Sequence, residues 1–238
     1  EGKMQMVESG DDELLVQFIS KETAKNAVKA IGREYGGSVE AIPDAVVTAV
    51  IPNNVGGTKS ALDAAGEANI TDTRLAAYRN QLISQNKNAE VTIAVVDSGI
   101  NANHALLAGK VEAGNGDSGN LKDNCGHGTH VAGIIAQAMG GLDYKIVSYK
   151  VTDDDGKIKI TDDDGIIASS RLRARLRNVG NSGADVINMS LQVHTDNSDV
   201  KRLIQGTIED MAQKSVLVIS AGNISNSETG MFSNSVFT

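Results

Sequence analysis

An aspartate and a histidine, each in a short glycine-containing motif, are the residues of this sequence best suited to acid–base chemistry. Asp97 ends the apolar run 91–96, which predicts a buried parallel strand, so its carboxylate is expected at the carboxyl end of a central strand. Open α/β sheets place their chemistry at that end. His127 lies between two glycines and precedes the apolar helical stretch 131–139. Aspartate, histidine, serine is one chain order of hydrolytic triads, and the first two members are present in that order.

Both residues also have structural interpretations. Asp97 in an Asp-Ser-Gly string is typical of a turn that ends a strand, and His127 could be a histidine at a helix start. A zinc cluster of His127 and His130 with Asp123 and Cys125 is a further alternative. Structural zinc sites bring two paired ligand sets, and one set is present here, so zinc is disfavoured. Cys125 is interpreted as a buried or partly buried thiol.

Four motifs, in order, resemble those of the subtilisin-like serine proteases, the subtilases. They are Val95-Val-Asp-Ser-Gly99, His127-Gly-Thr-His-Val-Ala-Gly133, Ile187-Asn-Met-Ser-Leu191 and Ser220-Ala-Gly-Asn223. The histidine motif is the most specific of them, and together they cover roughly residues 85–225. The resemblance implies a serine endopeptidase that hydrolyses peptide bonds.

The resemblance also assigns catalytic roles. His127 would be the general base for a serine hydroxyl, and Asp97 would orient the imidazole. Asn223 would donate a hydrogen bond to the oxyanion of the tetrahedral intermediate. The alternative for Asn223 is a turn asparagine that tolerates a left-handed backbone.

The same resemblance places a polypeptide substrate. Ser190 and Leu191 would help to shape the primary specificity pocket, and Gly156 would begin an edge segment that pairs with an extended peptide. The sequence departs from the family at two points: Gln192 stands where a glycine is usual, and Lys157-Ile-Lys159 stands where small residues are usual. Substrate preference is therefore left open.

The nucleophile of the family is not found in this sequence. The family's serine lies in a Gly-Thr-Ser-Met-Ala motif that opens a long helix, and no such motif occurs here. Ser233 and Ser235 lack the glycine turn and follow Asn223 too closely. We therefore expect a zymogen-like fragment, truncated before the catalytic serine, that does not hydrolyse peptides by itself.

The pattern from residue 91 onward predicts an α/β fold. Strands are predicted at 91–96, 145–151, 184–189 and 215–220, with helices near 129–139, 163–179 and 198–213. This alternation indicates a parallel sheet with helices on both faces, and the resemblance implies that the sheet is part of a partial subtilisin-like domain. Residues 76–238 are assigned to the N-terminal part of the catalytic domain, beginning with a polar, helical connector over 71–90.

Residues 1–75 predict a smaller α+β domain of ferredoxin-like order. Its elements are strands at 13–19, 38–42 and 46–51 and helices at 21–35 and 59–68. In front of a subtilase domain this order resembles the inhibitory propeptide of the family. The resemblance implies that the protein's own propeptide occupies the active-site cleft, with the processing cut between about residues 65 and 80.

The composition excludes several classes of function. The net charge of −8 argues against nucleic-acid binding, and the basic cluster 171–177 is predicted to be a solvated, partly snorkelling helix face. No apolar run in the 238 residues reaches the roughly 18 residues that a membrane span needs. No cofactor is assigned. Calcium is possible by resemblance, although the acidic runs 153–155 and 162–164 do not fit the EF-hand pattern.

Three functions compete on this sequence. The first is a secreted subtilisin-like endopeptidase, and the second is a non-catalytic pseudoprotease or peptide-binding module. Retention of Asp97, His127 and Asn223 favours the first, because peptide binding alone has no evident need of all three. The third, a nucleotide-binding α/β protein, is disfavoured because neither a G-x-G-x-x-G nor a Walker motif is present.

Overall fold

A computed structural model describes most of the chain in two compact units. The described residues are 4–9, 14–18, 20–36, 40–42, 48–50, 73–87, 89–114, 121–124, 126–151, 169–194 and 197–220. The units are Glu1–Ala45 and Val46–Thr238. Residues 51–72 lie outside the described residues, so the domain boundary at 75/76 stays a prediction.

The smaller unit contains a two-stranded sheet and one helix. Strands β1 (Met4–Ser9) and β2 (Leu14–Phe18) pair antiparallel, and helix α1 (Lys21–Tyr35) contacts β2. The helix begins at Ser20, whose side-chain oxygen accepts the Thr23 N–H at 3.1 Å, as N-cap serines do. The predicted strand and helix are confirmed, whereas β1 was not predicted.

The strand predicted over 38–42 is wrong for the part that the structure describes, since residues 40–42 have no strand structure. A short apolar run becomes a strand when a neighbouring strand takes its hydrogen bonds, and such a neighbour cannot be read from the run itself. Strand β3 (Thr48–Val50) lies inside the strand predicted over 46–51. The helix predicted over 59–68 lies outside the described residues.

The larger unit alternates strands and helices beyond β3. In chain order they are α2 (Thr73–Ser84), β4 (Val91–Asp97), β5 (Val111–Ala113), α3 (His127–Met139), β6 (Tyr144–Lys150), α4 (Ser169–Gly180), β7 (Val186–Met189), β8 (Gln192–His194), α5 (Ser198–Ala212) and β9 (Val216–Ile219). The longer elements match the predictions, and the three-residue strands β5 and β8 were missed. Over the part of the chain described, no helix has the length and apolarity needed to cross a membrane.

Five strands form one parallel sheet in the order β5-β6-β4-β7-β9. The chain therefore adds β5 and β6 on one side of β4, and β7 and β9 on the other. This reversal makes the carboxyl end of β4 a topological switch point, the place where such sheets form a crevice for ligands. The predicted α/β parallel sheet is confirmed.

Strand β4 is covered on both faces. Ile93 and Val95 belong to one core cluster with Ala132 of α3. The intervening Ala94 and Val96 are fully buried as well, although successive side chains point to opposite faces of a strand. Burial on both faces is typical of parallel sheets between helical layers, and it explains why β4 is apolar along most of its length.

Helices α4 and α5 pack closely against each other. A Cβ on Gly180 would lie 2.7 Å from Met211 Cγ, so the glycine permits the close approach. Arg173 is 8% exposed, and its Nε donates to Thr207 Oγ1 at 3.4 Å. The prediction of a solvated face over 171–177 is therefore wrong for Arg173, because the packing of the two helices covers it.

Helix α2 is attached to the carboxyl end of α3. Arg79 Nη1 of α2 donates to the Gln137 carbonyl at 2.7 Å and to the Ala138 carbonyl at 2.9 Å. The last carbonyls of a helix have no partner within the helix and carry negative partial charge, so a guanidinium is well suited to them. The helix predicted within the polar connector 71–90 is confirmed over Thr73–Ser84, and within the larger unit it contacts α3.

Candidate active site

Asp97 is the last residue of β4, at the switch point of the sheet. It is 1% exposed, and its Oδ1 accepts the Ser98 N–H at 2.7 Å. A buried carboxylate is costly unless hydrogen bonds replace its water. The bond from Ser98 belongs to a turn at the strand end, as the structural interpretation of Asp97 proposed, but it is not the only contact of this side chain.

His127 supplies the second contact. Its Nδ1 lies 2.8 Å from Asp97 Oδ1 and 3.0 Å from Asp97 Oδ2, and its side chain is 11% exposed. An ionised carboxylate only accepts hydrogen bonds, so this geometry favours a proton on Nδ1. The other ring nitrogen, Nε2, then carries a lone pair and can take a proton from a ligand.

Glycines bring the histidine close to the strand end. Gly126 is the N-cap of α3 and has φ 82°, a left-handed conformation that favours glycine. A Cβ on Gly128 would lie 2.1 Å from the Gly99 carbonyl oxygen. The first turn of α3 can therefore contact the chain after β4 backbone to backbone, and this contact brings His127 to Asp97.

Asp123, which the sequence suggests only as a metal ligand, connects the two motifs. It accepts hydrogen bonds from the Ser98 hydroxyl at 2.9 Å, from Gly126 N–H at 2.8 Å, and from both the N–H and the hydroxyl of Thr129. Its position just ahead of a helix whose N-cap is a glycine was the available cue, because helix starts favour carboxylates.

Lys150 supports the segment that carries Asp123. It ends β6, in register with Asp97 on β4, and is 9% exposed. Its Nζ donates to the Lys122 carbonyl at 2.8 Å. The carboxyl ends of the neighbouring strands β4 and β6 thus both contact the segment of Lys122 and Asp123, which precedes α3.

Two predicted substrate residues lie at the same edge of the sheet. β4 and β7 pair with Val95 opposite Asn188, which places Ser190 close to the level of Asp97. Asn188 Nδ2 donates to Ser190 Oγ at 3.0 Å. Leu191 is 1% exposed, and its carbonyl accepts the hydroxyl of Ser220 at 3.2 Å. Leu191 is therefore buried beside the switch point, and its carbonyl is held by the Ser220 hydroxyl.

Other predicted positions lie outside the described residues. These are Asn223, Gly156, Cys125, the segment 157–159 and the acidic runs 153–155 and 162–164. Within the described ranges, no three His, Cys, Asp or Glu side chains are grouped so that they could hold a metal ion. The assignments of oxyanion donor, edge segment and calcium therefore stay predictions.

Several characterised proteins are similar in sequence. Subtilisin from Bacillus sp. (strain TA39) is 33% identical over 177 residues, which are 65% of this chain and 39% of that protein. Cell wall-associated protease from Bacillus subtilis (strain 168) is 36% identical over 125 residues, 47% of this chain and 13% of that protein. Subtilisin-like protease 1 from Pseudogymnoascus destructans is 35% identical over 139 residues, 56% and 32% of the two chains. The chain thus spans 13% to 39% of the length of these relatives.

Solved structures of related enzymes also match. A lanthipeptide protease is 27% identical, with a TM-score of 0.45 over 63% of this chain and 45% of that one. A cold adapted subtilisin-like serine proteinase is 26% identical, with a TM-score of 0.41 over 56% and 46% of the two chains.

A family model extends over most of the larger unit. The model of the subtilase family matches residues 88–235, which include β4 with Asp97, α3 with His127 and the strands between which the switch point lies. The match covers more than half of the chain. This sequence therefore belongs to the subtilase family of serine proteases.

Proposed function

We propose that the protein containing this chain is a serine endopeptidase of the subtilisin type, in which Asp97 orients His127 and His127 acts as general base. The observation that carries the proposal is the bond between His127 Nδ1 and the buried Asp97 carboxylate, at 2.8 and 3.0 Å. The family, the position of the pair at a switch point and the tautomer that the bond favours all support it.

In the proposed reaction, His127 Nε2 takes the proton of a serine hydroxyl as the oxygen attacks the scissile carbonyl. The imidazolium forms against the Asp97 carboxylate, and Asn223 donates to the developing oxyanion. His127 then gives this proton to the leaving amine as the C–N bond breaks, and it later takes a proton from the water that hydrolyses the acyl-enzyme. The nucleophilic serine is not supplied by the motifs of this sequence, so we propose that residues 1–238 do not hydrolyse peptides alone.

The proposed substrate is a polypeptide bound in extended form. Ser190 and Leu191 lie at the same sheet edge as Asp97, as a pocket wall for the residue before the scissile bond requires. Gly156 would begin an edge segment that pairs through its main chain with the extended peptide. Such pairing gives affinity with modest sequence preference. Gln192 stands where the family usually has a glycine, so the substrate preference at this pocket is left open.

We also propose that the protein's own N-terminal region occupies the cleft before processing. Strand β3, within residues 1–75, pairs antiparallel with β8, so that Val50 lies opposite Gln192. Strand β8 begins directly after Ser190 and Leu191 in the chain. It supports the idea that a segment of the precursor adds a strand beside the substrate site.

Secretion is part of the same proposal. One relative is named for the cell wall, and a subtilisin-type endopeptidase that acts there works outside the cytoplasm. Detection of the processed protein in the culture medium of its source would support this part, and its confinement to the cytosol would contradict it.

The test uses the full-length protein that contains this chain, in wild-type, Asp97→Asn and His127→Ala forms. Peptide hydrolysis per folded molecule should fall by at least about 10⁴-fold in each variant, the range known for such residues in serine proteases. Asp199→Asn makes the same chemical change on an exposed side chain of α5 and should leave the rate unchanged. Unchanged hydrolysis in Asp97→Asn and His127→Ala would overturn the proposed catalytic roles of these two residues. An inactive wild type would favour a peptide-binding pseudoprotease.

A further inference from the structure

We propose that Asp123 is a positioning residue, which fixes the backbone on both sides of His127 and so sets the imidazole against Asp97. This role rests on the proposed function in one respect: His127 must act as the base. Asp123 touches no reacting atom, and it would act through the groups that it holds.

Each carboxylate oxygen of Asp123 accepts two hydrogen bonds. Oδ1 accepts from the Ser98 hydroxyl at 2.9 Å and from Gly126 N–H at 2.8 Å. Oδ2 accepts from Thr129 N–H at 2.9 Å and from the Thr129 hydroxyl. A carboxylate offers about four lone-pair sites, so these donors use its full capacity.

Three peptide N–H groups around His127 are held, two by Asp123 and one by Ser98. Gly126 N–H, just before His127, and Thr129 N–H, two residues after it, both donate to Asp123. Gly128 N–H, between them, donates to Ser98 Oγ at 2.9 Å. The backbone of His127 is therefore fixed from both directions.

Ser98 links this arrangement to the strand that bears Asp97. Its hydroxyl donates to Asp123 and accepts from Gly128, and its own N–H donates to Asp97 Oδ1. One residue after Asp97 thus contacts both the orienting carboxylate and the helix of the base. The distance between Asp97 and His127 is set by this short chain of bonds.

Capping of α3 accounts for only part of these contacts. Since the N-cap Gly126 has no side chain, a single bond from Asp123 to Thr129 N–H would do the work of a cap. The bond to Ser98 instead joins the helix to the end of β4. A second hydrogen bond also joins α3 to the chain after β4, since Asn101 N–H donates to Thr129 Oγ1 at 2.9 Å.

The test compares Asp123→Ala, Asp123→Asn and Asp199→Ala in the full-length protein. A displaced base should lower kcat per titrated active site by about 10–100-fold in Asp123→Ala, with KM changed little, since small misplacements have costs of that order. Asp123→Asn keeps one oxygen as an acceptor and should lose less. Asp199 lies in the first turn of α5, so its removal is a matched loss of an acidic residue at a helix start and should leave kcat unchanged.

A second readout does not require activity. The low-field proton resonance of a histidine Nδ1–H held by a carboxylate should be present in the wild type and weakened or shifted in Asp123→Ala. If the wild type proves inactive, the proposed function fails while this resonance still tests the positioning role. If Asp123→Ala does not fold, Thr129→Val is measured instead. It removes the hydroxyl's bond to Asp123 and the bond from Asn101 N–H to that hydroxyl, with little change of shape. A lower melting temperature with unchanged kcat and an unchanged resonance would show that Asp123 is merely structural.

Discussion

At the scale of single residues, the chemistry of the site depends on burial. Asp97 is almost fully buried, and its carboxylate is compensated by Ser98 N–H and by the ring of His127. When His127 gains a proton in the proposed reaction, that contact becomes a charge-assisted hydrogen bond, which is stronger than a neutral one. The pair therefore stabilises the charge at the moment when it develops.

A double variant tests whether the two residues act as a unit. Asp97→Asn places an amide against Nδ1 and favours the wrong tautomer, whereas His127→Ala removes the base altogether. We expect the double variant to be no slower than His127→Ala alone, because Asp97 acts through the imidazole. Steady-state kinetics of the four forms measure this, and multiplicative losses would show that Asp97 has an independent role.

The sequence indicated Asp97 and His127 as candidates, but it did not indicate the hydrogen bonds of Asp123 that hold the backbone around His127. Asp97 and His127 stand in motifs whose residue types are visible along the chain. The four bonds of Asp123 come from residues on both sides of a helix start and from the end of a strand, so they depend on the folded arrangement. A carboxylate before a glycine N-cap was a local cue, but the partner Ser98 could not be inferred from it.

At the scale of elements, α3 is fixed at both ends. Asp123 and Ser98 hold its first turn, and Arg79 of α2 binds its last carbonyls. The helix carries His127 at its start, so its position relative to β4 controls the site. Two neighbouring contacts of this helix can be tested separately.

Gly128→Ala should separate α3 from the end of β4. Its Cβ would lie 2.1 Å from the Gly99 oxygen, so the backbone must shift and unfolding should become easier by about 1–3 kcal/mol. Gly133 lies in the same helix, and a Cβ added there would meet nothing within 4 Å, so Gly133→Ala should stabilise by up to about 1 kcal/mol. Denaturant titration in the Asp97→Asn background, which suppresses self-digestion, measures both. Equal effects of the two substitutions would contradict the close contact.

Arg79→Ala should loosen the other end of the helix. Two carbonyls lose a charged donor, and we expect the free energy of unfolding to fall by about 1–3 kcal/mol. Arg79→Lys keeps the charge but not the planar fork, so it should recover part of the loss. The same denaturant titration applies, and an unchanged midpoint for Arg79→Ala would show that these contacts contribute no stability.

From residue 91 onward, strand length decided which strands could be predicted. Strands β4 and β6 have seven residues each, which is long enough for a strand pattern to show in the sequence. Strands β5 and β8 have three residues each, too few for any periodicity to show. Their pairing is set by neighbours far along the chain, which residue patterns do not reveal.

At the scale of the whole molecule, processing is proposed at about residues 65–80, which lie inside the larger unit Val46–Thr238. Because Arg79 attaches α2 to α3, α2 (Thr73–Ser84) belongs structurally with the protease part. A cut in the predicted window of about residues 65–80 should therefore fall before residue 73. The compact unit Glu1–Ala45 would be released as part of the N-terminal product.

N-terminal sequencing of the processed full-length protein tests this expectation. Wild-type protein should show a new N-terminus between about residues 65 and 73, and the His127→Ala form should remain uncut, since the base is needed for self-processing. A cut within α2, or equal cleavage in the two forms, would contradict the account.

Labelling of the full-length protein with a fluorophosphonate probe, followed by mapping of the modified peptide, shows whether His127 and Asp97 activate a serine. Such probes react with a serine that a neighbouring base has activated. We expect the wild type to be labelled at one serine. The His127→Ala and Asp97→Asn forms should lose most of the labelling, while Asp199→Asn should retain it. Labelling that does not depend on His127, or a correctly folded wild type that is not labelled, would contradict the assignment of this chain to a working serine endopeptidase.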